Sequence, residues 1–136
     1  MGRIDELDDD KLGTEKDSIY NNLYGGIHLL KAESKYFMQY GDPKKTYSIV
    51  MLSSLNGIRG CPGCDLYSAS KHGIIGLVKS SALAFAKTTP RIRVNAVAPG
   101  LINTFLTRNQ VKPDPNEGEA ITEDDPLWIQ NKDFFA

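Results

Sequence analysis

Three consecutive patterns limit what this chain can become more than any other feature of its sequence. Tyr47-Ser48-Ile49-Val50-Met51-Leu52 is a short run rich in apolar and β-branched residues. It carries apolar side chains on both parities, which predicts a strand buried on both faces, as in a parallel sheet. A helical stretch follows from about Leu66 to Lys87, and Arg91 to Ala98 then alternates as a strand until Pro99-Gly100 cuts it off. Strand, helix, strand is a βαβ unit, which implies parallel strands and a right-handed crossover. Open parallel sheets bind ligands beyond the carboxyl ends of their strands. Those ends are Ser53-Ser54 and Pro99-Gly100, so chemistry is expected there.

A first helix precedes the unit. Ile19, Leu23, Ile27 and Leu30 recur at three- and four-residue spacing, with Phe37 and Met38 further on, until Gly41-Asp42-Pro43 ends the pattern. On the second helix, Tyr67, Lys71, Ile74, Val78, Ala82 and Phe85 form one stripe, and Ala69, Gly73, Gly76, Ser80 and Ala84 form a small-residue stripe opposite. A glycine inside a helix costs about 1 kcal/mol relative to alanine, so two of them point to close approach by a neighbouring helix. Beyond Thr104, Pro113, Pro115, Gly118 and Pro126 interrupt any pattern; an irregular loop with a short helix near 126–131 is expected.

Composition narrows the function. The chain is 40% apolar and 24% charged with a formal net charge of −1, which gives no electrostatic reason for a nucleic-acid or membrane partner. The acidic runs Asp8-Asp9-Asp10 and Glu123-Asp124-Asp125 read as solvated turns or helix starts. No apolar run approaches the ~20 residues that span a bilayer. Met1 to Asp10 is charged rather than apolar, so no signal peptide and a cytoplasmic location are expected. Cys61-Pro62-Gly63-Cys64 has the spacing of a thiol redox pair, and no second pair exists to complete a zinc site; it reads first as a turn built around Pro62-Gly63, in which both cysteines are incidental. His28 and His72 read as surface or helix-packing residues, Ser53 as a structural neighbour of Ser54, and no metal site is expected.

Tyr67 and Lys71 stand four apart and so project from one helix face. A tyrosine hydroxyl titrates near ~10 and is a poor base at neutral pH. A nearby ammonium favours the phenolate. Ser54, at the end of the strand, could polarise a substrate oxygen as a preorganised donor. By itself a Tyr-x-x-x-Lys pair occurs on many helices as a half-buried tyrosine beside a snorkelling lysine.

Its surroundings give the pair meaning. Ser53-Ser54-Leu55-Asn56-Gly57, Tyr67-Ser68-Ala69-Ser70-Lys71-His72-Gly73 and Arg93-Val94-Asn95-Ala96-Val97-Ala98-Pro99-Gly100 closely resemble the short-chain dehydrogenase/reductase family, in the family's order. Asn22-Leu23-Tyr24-Gly25 is similar to the family's helical Asn motif, and the resemblance covers about Ile19 to Thr104. It implies an α/β fold, a partial Rossmann-like doubly wound parallel sheet, and hydride transfer between NAD or NADP and a secondary alcohol or ketone. By the same resemblance Tyr67 would be the general acid/base. Lys71 would assist it and bind the nicotinamide ribose, Ser54 would orient substrate, and Asn22 would hold a relay water. Pro99, Gly100, Ile102 and Thr104 would shape the nicotinamide end, and helices 19–40 and 66–87 would form a homo-oligomer interface.

The family's Gly-rich phosphate turn has no counterpart here, since Gly25-Gly26 lies within a helical pattern, and its closing helix and final strand are unrecognisable. The expectation is therefore a catalytic domain truncated at both ends, 1–104, followed by an irregular substrate-loop-like tail, 105–136. Such a piece exposes a strand edge and an apolar sheet face. Three functional readings follow: an NAD(P)-dependent oxidoreductase, an inactive fragment that associates through its helices, and a thiol redox protein using Cys61 and Cys64.

Overall fold

The computed structural model describes residues 4–6, 17–100 and 102. They divide into two compact units, the first ending at Ala98 and the second beginning at Pro99. In the first unit a wide π-helical stretch, Ile19–Tyr24, runs directly into helix α1 (Gly25–Tyr40). Strand β1 (Thr46–Leu52), a 3-10 turn (Leu55–Gly57), helix α2 (Asp65–Phe85) and strand β2 (Arg91–Val97) complete it. A second 3-10 turn, Ile4–Glu6, is tied to the start of α2 by the Ile4 N–H, which donates to Asp65 Oδ2 at 2.8 Å.

The two strands pair in parallel, with Ile49 beside Val94 and Met51 beside Ala96. Side chains alternate across a strand, so Ile49 and Met51 share one face with Ile92 and Val94. Helices α1 and α2 cover that face, and Leu30, Ile74 and Val78 close the core over it. The stripe from Tyr67 to Phe85 is the one that faces inward, with Lys71, Ile74 and Val78 buried along it. At the far end of α1, the Gly41 N–H bonds the Phe37 carbonyl at 2.8 Å, and the Phe37 and Tyr47 rings stack 4.4 Å apart. A Cβ on Gly41 would meet that carbonyl, Pro90 and Tyr47, so the tight corner requires glycine.

Two sequence expectations change in detail. A strand buried on both faces is not what the described residues form, because Val50 is 63%, Leu52 66% and Val97 49% exposed. Both helices lie over one face, and nothing described covers the other. The small-residue stripe on α2 also divides. A Cβ on Gly73 would meet Leu23 at 2.9 Å, the close helix approach that was expected, whereas one on Gly76 would meet nothing within 4 Å. The expected helix near 126–131 and the tail 105–136 lie outside the described residues.

Candidate active site

The carboxyl end of β1 is fastened to α2 by Ser53. This buried serine donates its backbone N–H to the Val97 carbonyl at 2.8 Å and its hydroxyl to the Lys71 carbonyl at 2.9 Å. Gly57 lies against the same junction: a Cβ there would collide with Ser53 Oγ and come within 2.6 Å of the Lys71 carbonyl oxygen. The 3-10 turn can therefore close over the strand end only with glycine at this position. One residue on, Ser54 has extended backbone and its Oγ accepts the Asn56 N–H at 3.2 Å. A serine hydroxyl both accepts and donates, so that bond leaves the half-buried Ser54 its proton to give.

Lys71 sits beneath this turn. It is only 8% exposed, and its ammonium donates to the Leu52 carbonyl at 3.2 Å, 5.6 Å from the centre of the Tyr67 ring. Burial pushes its pKa below the usual lysine value, because the charged form loses water. An ammonium has three protons to donate, and the Leu52 carbonyl takes one. Tyr67, half-buried, lies one turn before it on the same stripe of α2, in the first turn of the helix. Ser54, Tyr67 and Lys71 thus gather around the junction of β1 and α2.

Asn22 lies apart from this group in its bonding. It sits in the π-helical stretch, where the Gly25 N–H reaches back five residues to the Tyr20 carbonyl, and its Nδ2 donates to Ser18 Oγ at 3.3 Å. Single π-helical turns recur at functional sites because they re-aim side chains out of helical register. A groove of about 380 Å³ runs between α1 and β1, lined in part by Asn22, Leu29, Glu33 and Val50. It excludes Ser54, Tyr67 and Lys71, and it lies along the edge of β1 not paired with β2.

Pro99 and Gly100 are half-buried and open the second unit, Ile102 is exposed, and Thr104 lies outside the described residues. His28 and His72 are exposed, and His72 Nδ1 lies 2.9 Å from the Ser68 carbonyl, as surface residues would. Sequence reasoning read Ser53 as a structural neighbour of Ser54, the part it takes here, and missed the π-helical stretch. Nothing in the sequence Ile19–Tyr24 announces that stretch. Ser68 Oγ, next to Tyr67, is buried with no hydrogen-bond partner. Among the described residues no cluster of metal-ligating side chains occurs, and no helix is long and apolar enough to cross a membrane.

The chain is similar in sequence and fold to known proteins. Residues 2–115 match the family model described as short chain dehydrogenase. The chain belongs to the short-chain dehydrogenase family. It is 40% identical over 91 residues to the 3-oxoacyl-[acyl-carrier-protein] reductase of Mus musculus, covering 67% of this chain and 36% of that protein. It is 41% identical over 92 residues to the acetoacetyl-CoA reductase of a Synechocystis species, with 67% and 36% covered. Among solved structures, 4-hydroxyisoleucine dehydrogenase complexed with NADH superposes with a TM-score of 0.64 at 32% identity, over 82% of this chain and 45% of that one. ElxO with NADP bound gives 0.65 at 30% identity, over 82% and 41%. The sheet and helices of the short-chain dehydrogenase fold are thus present in part, and the chain spans about a third of the length of these curated relatives.

Proposed function

We propose that this short-chain dehydrogenase chain carries the proton-transfer portion of an NAD(P)-dependent oxidoreductase acting on a secondary alcohol or ketone. The observation that carries the reading is the buried Lys71 ammonium, 5.6 Å from the Tyr67 ring, with one proton on the Leu52 carbonyl and others to give. When bound, a nicotinamide cofactor supplies or accepts the hydride. The residues present fit its ribose end, because the remaining Lys71 protons suit vicinal hydroxyls. Pro99, Gly100, Ile102 and Thr104 belong to the same proposal as its nicotinamide end.

In the reducing direction Tyr67 gives its phenolic proton to the carbonyl oxygen, and Lys71 stabilises the phenolate left behind. Ser54, with its acceptor side committed to Asn56, donates to the same substrate oxygen and holds it towards Tyr67. Asn22 keeps a water that reconnects Lys71 to solvent. The names of the similar proteins, two reductases of 3-oxoacyl groups and a dehydrogenase of a hydroxy amino acid, support a ketone or secondary alcohol as substrate. An assembly of like chains through the exposed sides of α1 and α2, and a cytoplasmic location, form part of the proposal.

The test is a titration of the chain with NADH and NADPH followed by cofactor fluorescence, then turnover with a 3-oxoacyl thioester. Saturable binding, with turnover abolished in Tyr67→Phe and binding retained, is the expected result. No binding at millimolar cofactor would leave Asn22, Ser54, Tyr67 and Lys71 an inherited arrangement in an inactive fragment.

A further inference from the structure

Between the 3-10 turn and α2 lies a segment that hydride transfer leaves unused, Cys61-Pro62-Gly63-Cys64. The Cys64 N–H donates to the Cys61 carbonyl at 3.1 Å, which closes a β-turn with one cysteine at each end. Pro62 occupies its second position and Gly63, at φ 70°, its third. These are the residues of a type II turn, whose third position takes a positive φ that glycine alone adopts freely. A β-turn keeps its first and fourth Cα atoms within about 7 Å, and a disulfide spans Cα atoms roughly 4.4–6.8 Å apart. The backbone therefore already holds both cysteines at bridging distance. Neither is in a disulfide, both are half-buried rather than sealed in the core, and the space around Gly60 and Gly63 is open.

We propose that Cys61 and Cys64 form a reversible dithiol modification site, oxidised within the turn by a small disulfide of the glutathione type. One cysteine thiolate attacks a sulfur of the small disulfide and expels one small thiolate. The second cysteine then attacks the mixed disulfide, forming the Cys61–Cys64 bond and expelling the other small thiol. The protein loses two electrons and two protons, and the small disulfide gains them; excess small thiol reverses both steps. The Cys64 carbonyl accepts the Ser68 N–H at 2.7 Å, so the bridge is anchored to the first turn of α2. The proposal stands apart from the hydride-transfer reading, and its test reads thiols rather than turnover.

The chain is equilibrated in glutathione buffers of increasing oxidised share, acid-quenched and digested with trypsin. Cleavage after Arg59 and after Lys71 leaves both cysteines in one peptide, whose mass reports their state. The expected product is that peptide lighter by two hydrogens, without a glutathione adduct. It should form at a ratio about tenfold more reducing than the same chain requires in denaturant, equivalent to roughly 30 mV. Stable glutathione adducts on separate cysteines, disulfide-linked dimers, two persistent thiols, or oxidation no easier in the folded chain would each overturn the proposal. Gly63→Val, which opposes the positive φ, should move the midpoint several-fold towards oxidising buffers while the circular dichroism spectrum is unchanged. An unmoved midpoint in that variant would show that the turn does not bring the thiols together.

Discussion

Both faces of the β1–β2 sheet carry apolar residues, and these meet opposite fates. On one face Ile49, Met51, Ile92 and Val94 are buried under α1 and α2, and Ile92 is wholly excluded from water. On the other, Val50, Leu52 and Val97 stand largely exposed. The candidate site hangs from the covered side: Lys71 and Tyr67 lie on the stripe of α2 that builds the core, and the Leu52 carbonyl that Lys71 binds is backbone. The run of apolar residues in β1 thus signals a strand, while burial depends on which helices pack where.

Substitutions on the covered side should have large effects, and each tests the contrast differently. Tyr67→Phe is expected to cost about 10²–10⁴-fold in turnover, the usual worth of a positioned acid/base, with a urea midpoint close to that of the parent chain. Normal turnover would detach the site from the covered side. Next in size, Ile92→Ala should lower folding stability by about 2–5 kcal/mol through the cavity it leaves, measured by urea unfolding. Gly57→Ala should follow at about 1–3 kcal/mol, because the new methyl must displace Ser53 or the Lys71 backbone. If Gly57→Ala proved neutral, the turn would be looser than the strand end it closes over.

Lys71 offers a comparison by pH. Its folded-state pKa is lowered from 10.5 by burial, so the unfolded chain holds this proton more tightly. Between the folded-state pKa and 10.5 the unfolded state binds more protons, and stability gains a rising contribution with pH. Below that window the desolvation cost is present in full; above 10.5 it is gone. Urea midpoints of the parent chain should therefore rise through this window relative to those of Lys71→Met, and parallel curves would mean that Lys71 is solvated. Smallest of all, Leu52→Ser on the open face should change stability by no more than about 0.5 kcal/mol. A loss as large as that of Ile92→Ala would mean that this face is covered in solution, and the contrast would fail.

Much of this was legible in the chain. Tyr47 to Leu52, the stripe from Tyr67 to Phe85 and the alternation from Arg91 onward specified strand, helix and strand, because periodicity follows directly from backbone geometry. Tyr67 and Lys71 were bound to share a face, since four residues make about one helical turn. The helical spacing of Ile19 to Leu30 did not disclose a π-helical stretch, because one wide turn leaves the apolar pattern nearly unchanged. Likewise Gly73 and Gly76 look alike in sequence, and only the packing sets Leu23 against one of them and open space against the other. Ser53 and Ser54 are adjacent and chemically identical. The first is consumed by the Val97 and Lys71 carbonyls and the second keeps a proton to donate. That division is decided where β1 meets α2, because a hydroxyl's role depends on which partners come within reach in three dimensions.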